Sequence, residues 1–125
     1  MAMSIPILKQ GPYLIASIQS APTDSEWREM GKLLAERVGK QRSRGVVVDV
    51  TVLDVIDSFA ARTLREIAQT VKLRGAEPVV VGIQPDVAFS MVQLGLTLGE
   101  VPTELDLEEG LATLDAILKG GEINV

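Results

Sequence analysis

Two stretches of almost unbroken aliphatic residues, Val46 to Val50 (VVVDV) and Val79 to Ile83 (VVVGI), most constrain what this chain can fold into. Runs of about five such residues, rich in β-branched types, read as strands covered on both faces. Such strands belong to parallel sheets, where neighbours are joined by helical crossovers. The segment between the two runs supplies one. Phe59 to Leu73 carries Leu64, Ile67, Ala68 and Val71 at helical spacing, and Gly75 is placed to stop it.

The rest of the chain extends this alternation. Ile5 to Leu8 and Tyr13 to Ile18 read as two strands split by the turn Gln10-Gly11-Pro12. Thr23-Asp24-Ser25-Glu26 has the spacing of a capping box, and the helix it opens sets Trp27, Met30, Leu34 and Val38 on one face. That helix is expected to end at Gly39 or Gly45, with Lys40, Arg42 and Arg44 near its negative end. Pro85 suits the first position of a third helix that runs to Leu94 and stops at Gly95. A short strand is expected near Val101. Asp106 with Glu109 opens a last helix striped by Leu107, Leu111, Leu114 and Ile117 or Leu118, and Gly120-Gly121 is expected to end it. The prediction is an α/β fold: one domain over residues 4–118, with a mixed, mostly parallel β-sheet, right-handed crossovers and flanking α-helices. Residues 119–125 are expected to form a flexible tail.

Charge and composition narrow the function. The 125 residues include 17 acidic and 12 basic side chains, a net charge of −5. Nucleic-acid binding needs a basic stripe, so no nucleic-acid partner is expected. An anionic membrane surface is disfavoured for the same reason, and no apolar run approaches the roughly 20 residues that span a bilayer. The chain has neither cysteine nor histidine. That removes thiol nucleophiles, imidazole acid–base catalysis and the usual zinc ligands. The first residues lack the basic and long apolar regions of a secretory leader, so a cytoplasmic location is expected. No cofactor is expected.

One junction carries the remaining chemistry. Asp57-Ser58 lies past the end of the first valine run, where the second helix starts, and ligands and partners approach open sheets at such places. Ser58 reads both as the helix N-cap and as a phosphoacceptor, since a capping hydroxyl faces solvent on one side. A phosphate there adds about −1.5 to −2 charge. The helix N-terminus favours it, Asp54 and Asp57 oppose it, and Arg62 and Arg65, four and seven residues on, offset the repulsion. Thr51 reads as a strand-end residue bonding the turn, and Thr63 as a helix-face residue. Asp49, Asp54 and Asp57 also invite comparison with a metal-binding phospho-aspartate pocket. That pocket needs a lysine at a third strand end, where this chain has Gln84, so Asp49 reads as structural and no metal is expected. Gly82 to Asp86 forms a strand-to-helix turn that keeps open an alternative reading as a nucleotide or small-molecule binding module.

Four segments together resemble the STAS domain family, the fold of anti-anti-sigma factors: SIPILKQGPYLIASIQ (Ser4 to Gln19), VVVDVTVLDVIDSFAARTL (Val46 to Leu64), LRGAEPVVVGIQPDVAFSMVQLGL (Leu73 to Leu96) and ELDLEEGL (Glu104 to Leu111). IDSF followed by GIQP at this spacing narrows the resemblance to the lone-domain members of bacterial stressosomes. Many other members carry a glycine just after the phosphoserine, where this chain has Phe59-Ala60. The resemblance implies a non-catalytic regulator that holds an RsbT-type serine kinase and assembles with RsbR-type paralogues. It implies phosphorylation of Ser58 by that kinase, release of the kinase, and a phosphatase that acts on the phosphoserine. The expected partner-facing residues are Asp54, Asp57, Ser58, Phe59, Arg62 and Arg65.

Overall fold

Strands and helices alternate through residues 5–123, the part of the chain that the computed structural model describes. In chain order they are β1 (Ile7–Gln10), β2 (Tyr13–Ser17), α1 (Asp24–Gln41), β3 (Gly45–Asp49), α2 (Ser58–Leu73), β4 (Glu77–Val81), α3 (Pro85–Gln93), β5 (Thr103–Glu104) and α4 (Leu107–Ile123). Residue 4, the expected start of the domain, and residues 124–125 lie outside the described residues. The single sheet has the order β1-β2-β3-β4-β5. β1 runs antiparallel to β2, and every later pair is parallel. The α/β fold with a mixed, mostly parallel sheet is therefore as the sequence predicts.

The strand order never turns back. Right-handed crossovers repeated in one direction put their helices on one face of the sheet, and α1, α2 and α3 share that face. Trp27, Met30, Leu34 and Val38 of α1 pack there with Leu64, Ile67 and Val71 of α2 and Val87 and Met91 of α3. They meet the alternate strand residues Leu14, Ala16, Val46, Val48 and Val80. The intervening residues Tyr13, Ile15, Val47, Val79 and Val81 point to the opposite face, where Leu107, Leu111, Leu114 and Leu118 of α4 cover them. Coverage on both faces is why the strands read as continuous apolar runs. Helix α4 lies close to the sheet because position 110 is glycine: a Cβ there would stand 2.5 Å from the Val81 side chain.

Several boundaries differ from the sequence reading. Helix α1 does not end at Gly39 but runs to Gln41, and Arg42 takes the left-handed conformation (φ 52°) that a glycine was expected to supply. Gly39 instead leaves room for the Arg74 guanidinium, whose Nε donates to the Ala35 carbonyl at 3.3 Å. Strand β4 begins at Glu77 and so includes Pro78. Val80 and Gly82 donate their N–H groups toward β5, to Pro102 and Glu104. By alternation residue 78 faces the same side, but β5 starts only at Thr103, so the missing N–H of proline leaves no gap in the ladder. Helix α4 passes through Gly120-Gly121 to Ile123, so residues 119–123 of the expected tail are helical.

Candidate functional site

The site grows from the C-terminal end of β3. Asp49, half-buried, accepts hydrogen bonds from the Thr51 backbone N–H (3.0 Å) and the Thr51 hydroxyl (2.5 Å). The structural reading of Asp49 follows from this local turn. Val50, Leu53 and Ile56 then enter the core as three pegs, while Val52, Asp54, Val55 and Asp57 face solvent. The loop is thus anchored at every third residue, and the residues between the pegs form a fixed outer surface. Its exposure includes two valines, Val55 at 70% and Val52 at 49%.

A second loop buttresses the first. Gly82 ends β4 with φ +85°, a left-handed conformation that glycine adopts without penalty. A side chain there would also run into Thr51. Two residues on, Gln84 Nε2 donates to the Thr51 carbonyl at 2.6 Å. The turn at residues 82–86 is therefore spent on holding the β3–α2 loop.

Helix α2 starts one residue earlier than the sequence suggests. Asp57, not Ser58, is the N-cap: its Oδ1 accepts the Ala60 N–H at 2.8 Å. Burial of Ala60, Ala61 and Leu64 sets the phase of the first turn, which leaves Asp57 as the last extended residue. A carboxylate in that place also answers the positive end of the helix better than a hydroxyl. Ser58 is the first helical residue, exposed, with no hydrogen bond to its hydroxyl among the described residues. The neighbouring hydroxyls are otherwise committed, Thr51 to Asp49 and Thr63 to the buried side of α2.

Phe59 packs its half-buried ring against the core beside Ser58. Two guanidiniums lie over that ring, Arg28 of α1 at 5.5 Å and Arg62 of α2 at 5.8 Å from its centroid. Both are within cation–π range. Arg65 does not join them: its Nη1 donates to the Thr97 carbonyl and ties α2 to the loop before β5. The structure therefore brings Asp57, Ser58, Phe59 and Arg62 together, with Asp54 exposed on the same loop, and directs Arg65 elsewhere. Arg28 was not anticipated. It lies off the apolar stripe of α1 and has no local signal, because only packing of α1 against α2 brings it to Phe59.

The depression beside the loop measures about 150 Å³ and is lined by residues that include Trp27, Leu53, Val55 and Asp57. Two larger hollows, each about 320 Å³, do not include Ser58 in their linings, although Arg28 lines one of them. Among the described residues no three acidic side chains gather as metal ligands would. No described helix is long and apolar enough to cross a membrane. On the opposite face, burial, aided by a hydrogen bond to the Asp115 carboxylate, pushes the Tyr13 phenol up to about 12.

The β3–α2 junction thus presents Ser58, exposed and with no hydrogen bond to its hydroxyl among the described residues, beside the Phe59 ring and its two guanidiniums. The family model for the STAS domain matches residues 13–110, and the chain belongs to that family. Among solved structures, RsbS of Moorella thermoacetica carrying the substitution S58E superposes with a TM-score of 0.79 at 31% identity, covering 93% of this chain and 98% of that one. A chain of the stressosome, described as a signal integration and transduction hub, gives a TM-score of 0.72 at 31% identity over 90% of this chain and 98% of its own. Among curated relatives, the RsbT co-antagonist protein RsbRA of Bacillus subtilis is 35% identical over 91 residues, or 73% of this chain. The chain spans about a third of the length of RsbRA, 33%.

Proposed function

We propose that this chain is a non-catalytic stressosome scaffold and regulator that binds an RsbT-type serine kinase and releases it when Ser58 is phosphorylated. In this reading it acts in the cytoplasm, co-assembles with RsbR-type paralogues, is reset by a phosphatase, and controls a general stress sigma-factor cascade. The observation that carries the reading is the state of Ser58: an exposed hydroxyl without a hydrogen-bond partner among the described residues, on a surface pegged by Leu53 and Ile56, in a fold shared with RsbS. The relative whose structure carries S58E holds an acidic residue where that protein has serine, which is the charge change proposed for this chain.

The chemistry is transfer of the γ-phosphoryl group of a nucleoside triphosphate to Ser58 Oγ. The hydroxyl proton is lost and the nucleoside diphosphate leaves. The added charge of about −1.5 to −2 stands beside Asp54 and Asp57 and alters the surface that the kinase meets. The loop is pegged and capped, so the change is one of surface charge rather than of fold.

The test is incubation with the kinase and nucleoside triphosphate, followed by mass spectrometric mapping and co-elution. We expect label on Ser58, no label on Ser58→Ala, and reduced co-elution of Ser58→Asp. Label that persists on Ser58→Ala, or equal kinase retention by Ser58→Asp, contradicts the proposal.

A further inference from the structure

We infer that Arg28 and Arg62 form a latch on Phe59 that the phosphate on Ser58 opens; this rests on the reading of Ser58 as a phosphoacceptor. In the unmodified chain both guanidiniums lie over the Phe59 ring, at 5.5 and 5.8 Å from its centroid. Neither makes a hydrogen bond or an ion pair among the described residues, where the one ion pair within 4.0 Å joins Lys72 to Glu77. The two cations are therefore held only by an aromatic face, although the carboxylates of Asp54 and Asp57 stand on the same surface. A cation over a partly solvated ring is weakly held. A phosphate, with nearly two charges and three acceptor oxygens, takes up guanidiniums bidentately and much more strongly.

The exchange asks each guanidinium to move from the Phe59 ring to the neighbouring Ser58. Ser58 and Arg62 are four residues apart on α2, which places them as neighbours on one helix face, about 5–6 Å between Cβ atoms. Arg28 comes from α1 and already reaches the ring of the residue next to Ser58. On phosphorylation both guanidiniums turn from the ring to the phosphoryl oxygens. The patch then loses two available cations as well as gaining an anion, and the Phe59 ring is uncovered. A partner that reads Arg28, Phe59 and Arg62 together meets a different surface, with no movement of the backbone. Arg28 is the diagnostic member, because an Arg62–phosphate pair alone is an ordinary contact within one helix.

The first readout needs no kinase. Phosphoserine is placed at position 58 during synthesis, and its second ionisation is followed by phosphorus NMR against pH, with the same chain unfolded in urea as reference near pH 6. Capture by two guanidiniums favours the dianion, so the folded value should lie below the urea value by about half a unit or more. Arg28→Gln should return part of that shift, Arg28→Lys should retain most of it, and Arg62→Gln should return part independently. Both arginines are exposed, so these variants should keep the dispersed amide spectrum of the folded chain. A value that Arg28→Gln leaves unchanged overturns the latch, even if Arg62→Gln moves it. Kinase co-elution of the same phosphorylated chains is measured separately. Lost capture without an Arg28-dependent shift overturns the latch and leaves the sequestration reading standing. An Arg28-dependent shift with capture intact supports the latch and overturns that reading.

Discussion

The junctions β3–α2 and β4–α3 occupy the same end of the sheet, past the C-termini of two parallel neighbours, and each leads from a buried strand into a helix on the same face. Their helix starts are nevertheless built differently. The first has a capping carboxylate, Asp57, followed by an exposed serine and a ring covered by two cations. The second has no side-chain cap bond and a proline at its first position, and its N-cap side chain, Gln84, is turned back onto Thr51. Proline there removes an N–H that would otherwise need a partner. One junction thus displays chemistry while the other holds it in place. A helix N-terminus at the C-terminal end of a sheet does not make a site; what distinguishes the two is which polar groups are already spent on internal bonds.

That division of labour breaks most severely at the buttress. Gly82→Ala forces a side chain into a left-handed position and against Thr51, with the new Cβ 3.1 Å from the Thr51 Cα. We expect a loss of about 2–4 kcal/mol in urea unfolding, from backbone strain and overpacking together. A loss under about 1 kcal/mol would mean that the two loops are not rigidly joined. Next comes a contrast with the opposite face. The Tyr13 phenol is raised to about 12 in the folded chain against 10.0 for the free group. The folded state holds that proton more tightly, so stability is full below pH 10 and falls as pH rises through about 12. Tyr13→Phe should remove the fall across that window in alkaline denaturation, while changes at the Ser58 junction should leave it in place.

Smaller effects separate neighbours within the junction. Asp57→Ala should cost about 1 kcal/mol, the usual worth of an N-cap. Gln84→Ala should cost somewhat less, about 0.5–1 kcal/mol, for one lost hydrogen bond to the Thr51 carbonyl. Ser58→Ala should move the urea midpoint least of all, by less than about 0.5 kcal/mol, because its hydroxyl has no hydrogen-bond partner among the described residues. A cost near 1 kcal/mol for Ser58→Ala with none for Asp57→Ala would restore serine as the cap and dissolve the distinction drawn here.

Much of this was legible one residue at a time. The capping box at Thr23 and Glu26, the α1 stripe from Trp27 to Val38 and the last-helix stripe at Leu107, Leu111 and Leu114 all depend on neighbours within a turn or two, and the structure has each of them. The placement of Ser58 at a strand-to-helix junction was equally local. Its cap role was misassigned by one residue, because helix phase is set by which of Phe59, Ala60 and Ala61 faces the core, and that depends on the sheet beneath.

The sequence by itself determined the elements, their alternation and the exposed serine, since periodicity, capping and the apolar runs are short-range properties of the chain. Tertiary structure alone decided that Arg28 meets Phe59, that Arg65 is spent on Thr97, that Gln84 braces Thr51 and that Pro78 fits inside β4. Each of these is a contact between segments far apart in the chain or a consequence of where a neighbouring strand stops. No local spacing encodes such distances, because they follow from how crossover helices and loop ends pack once the sheet has formed.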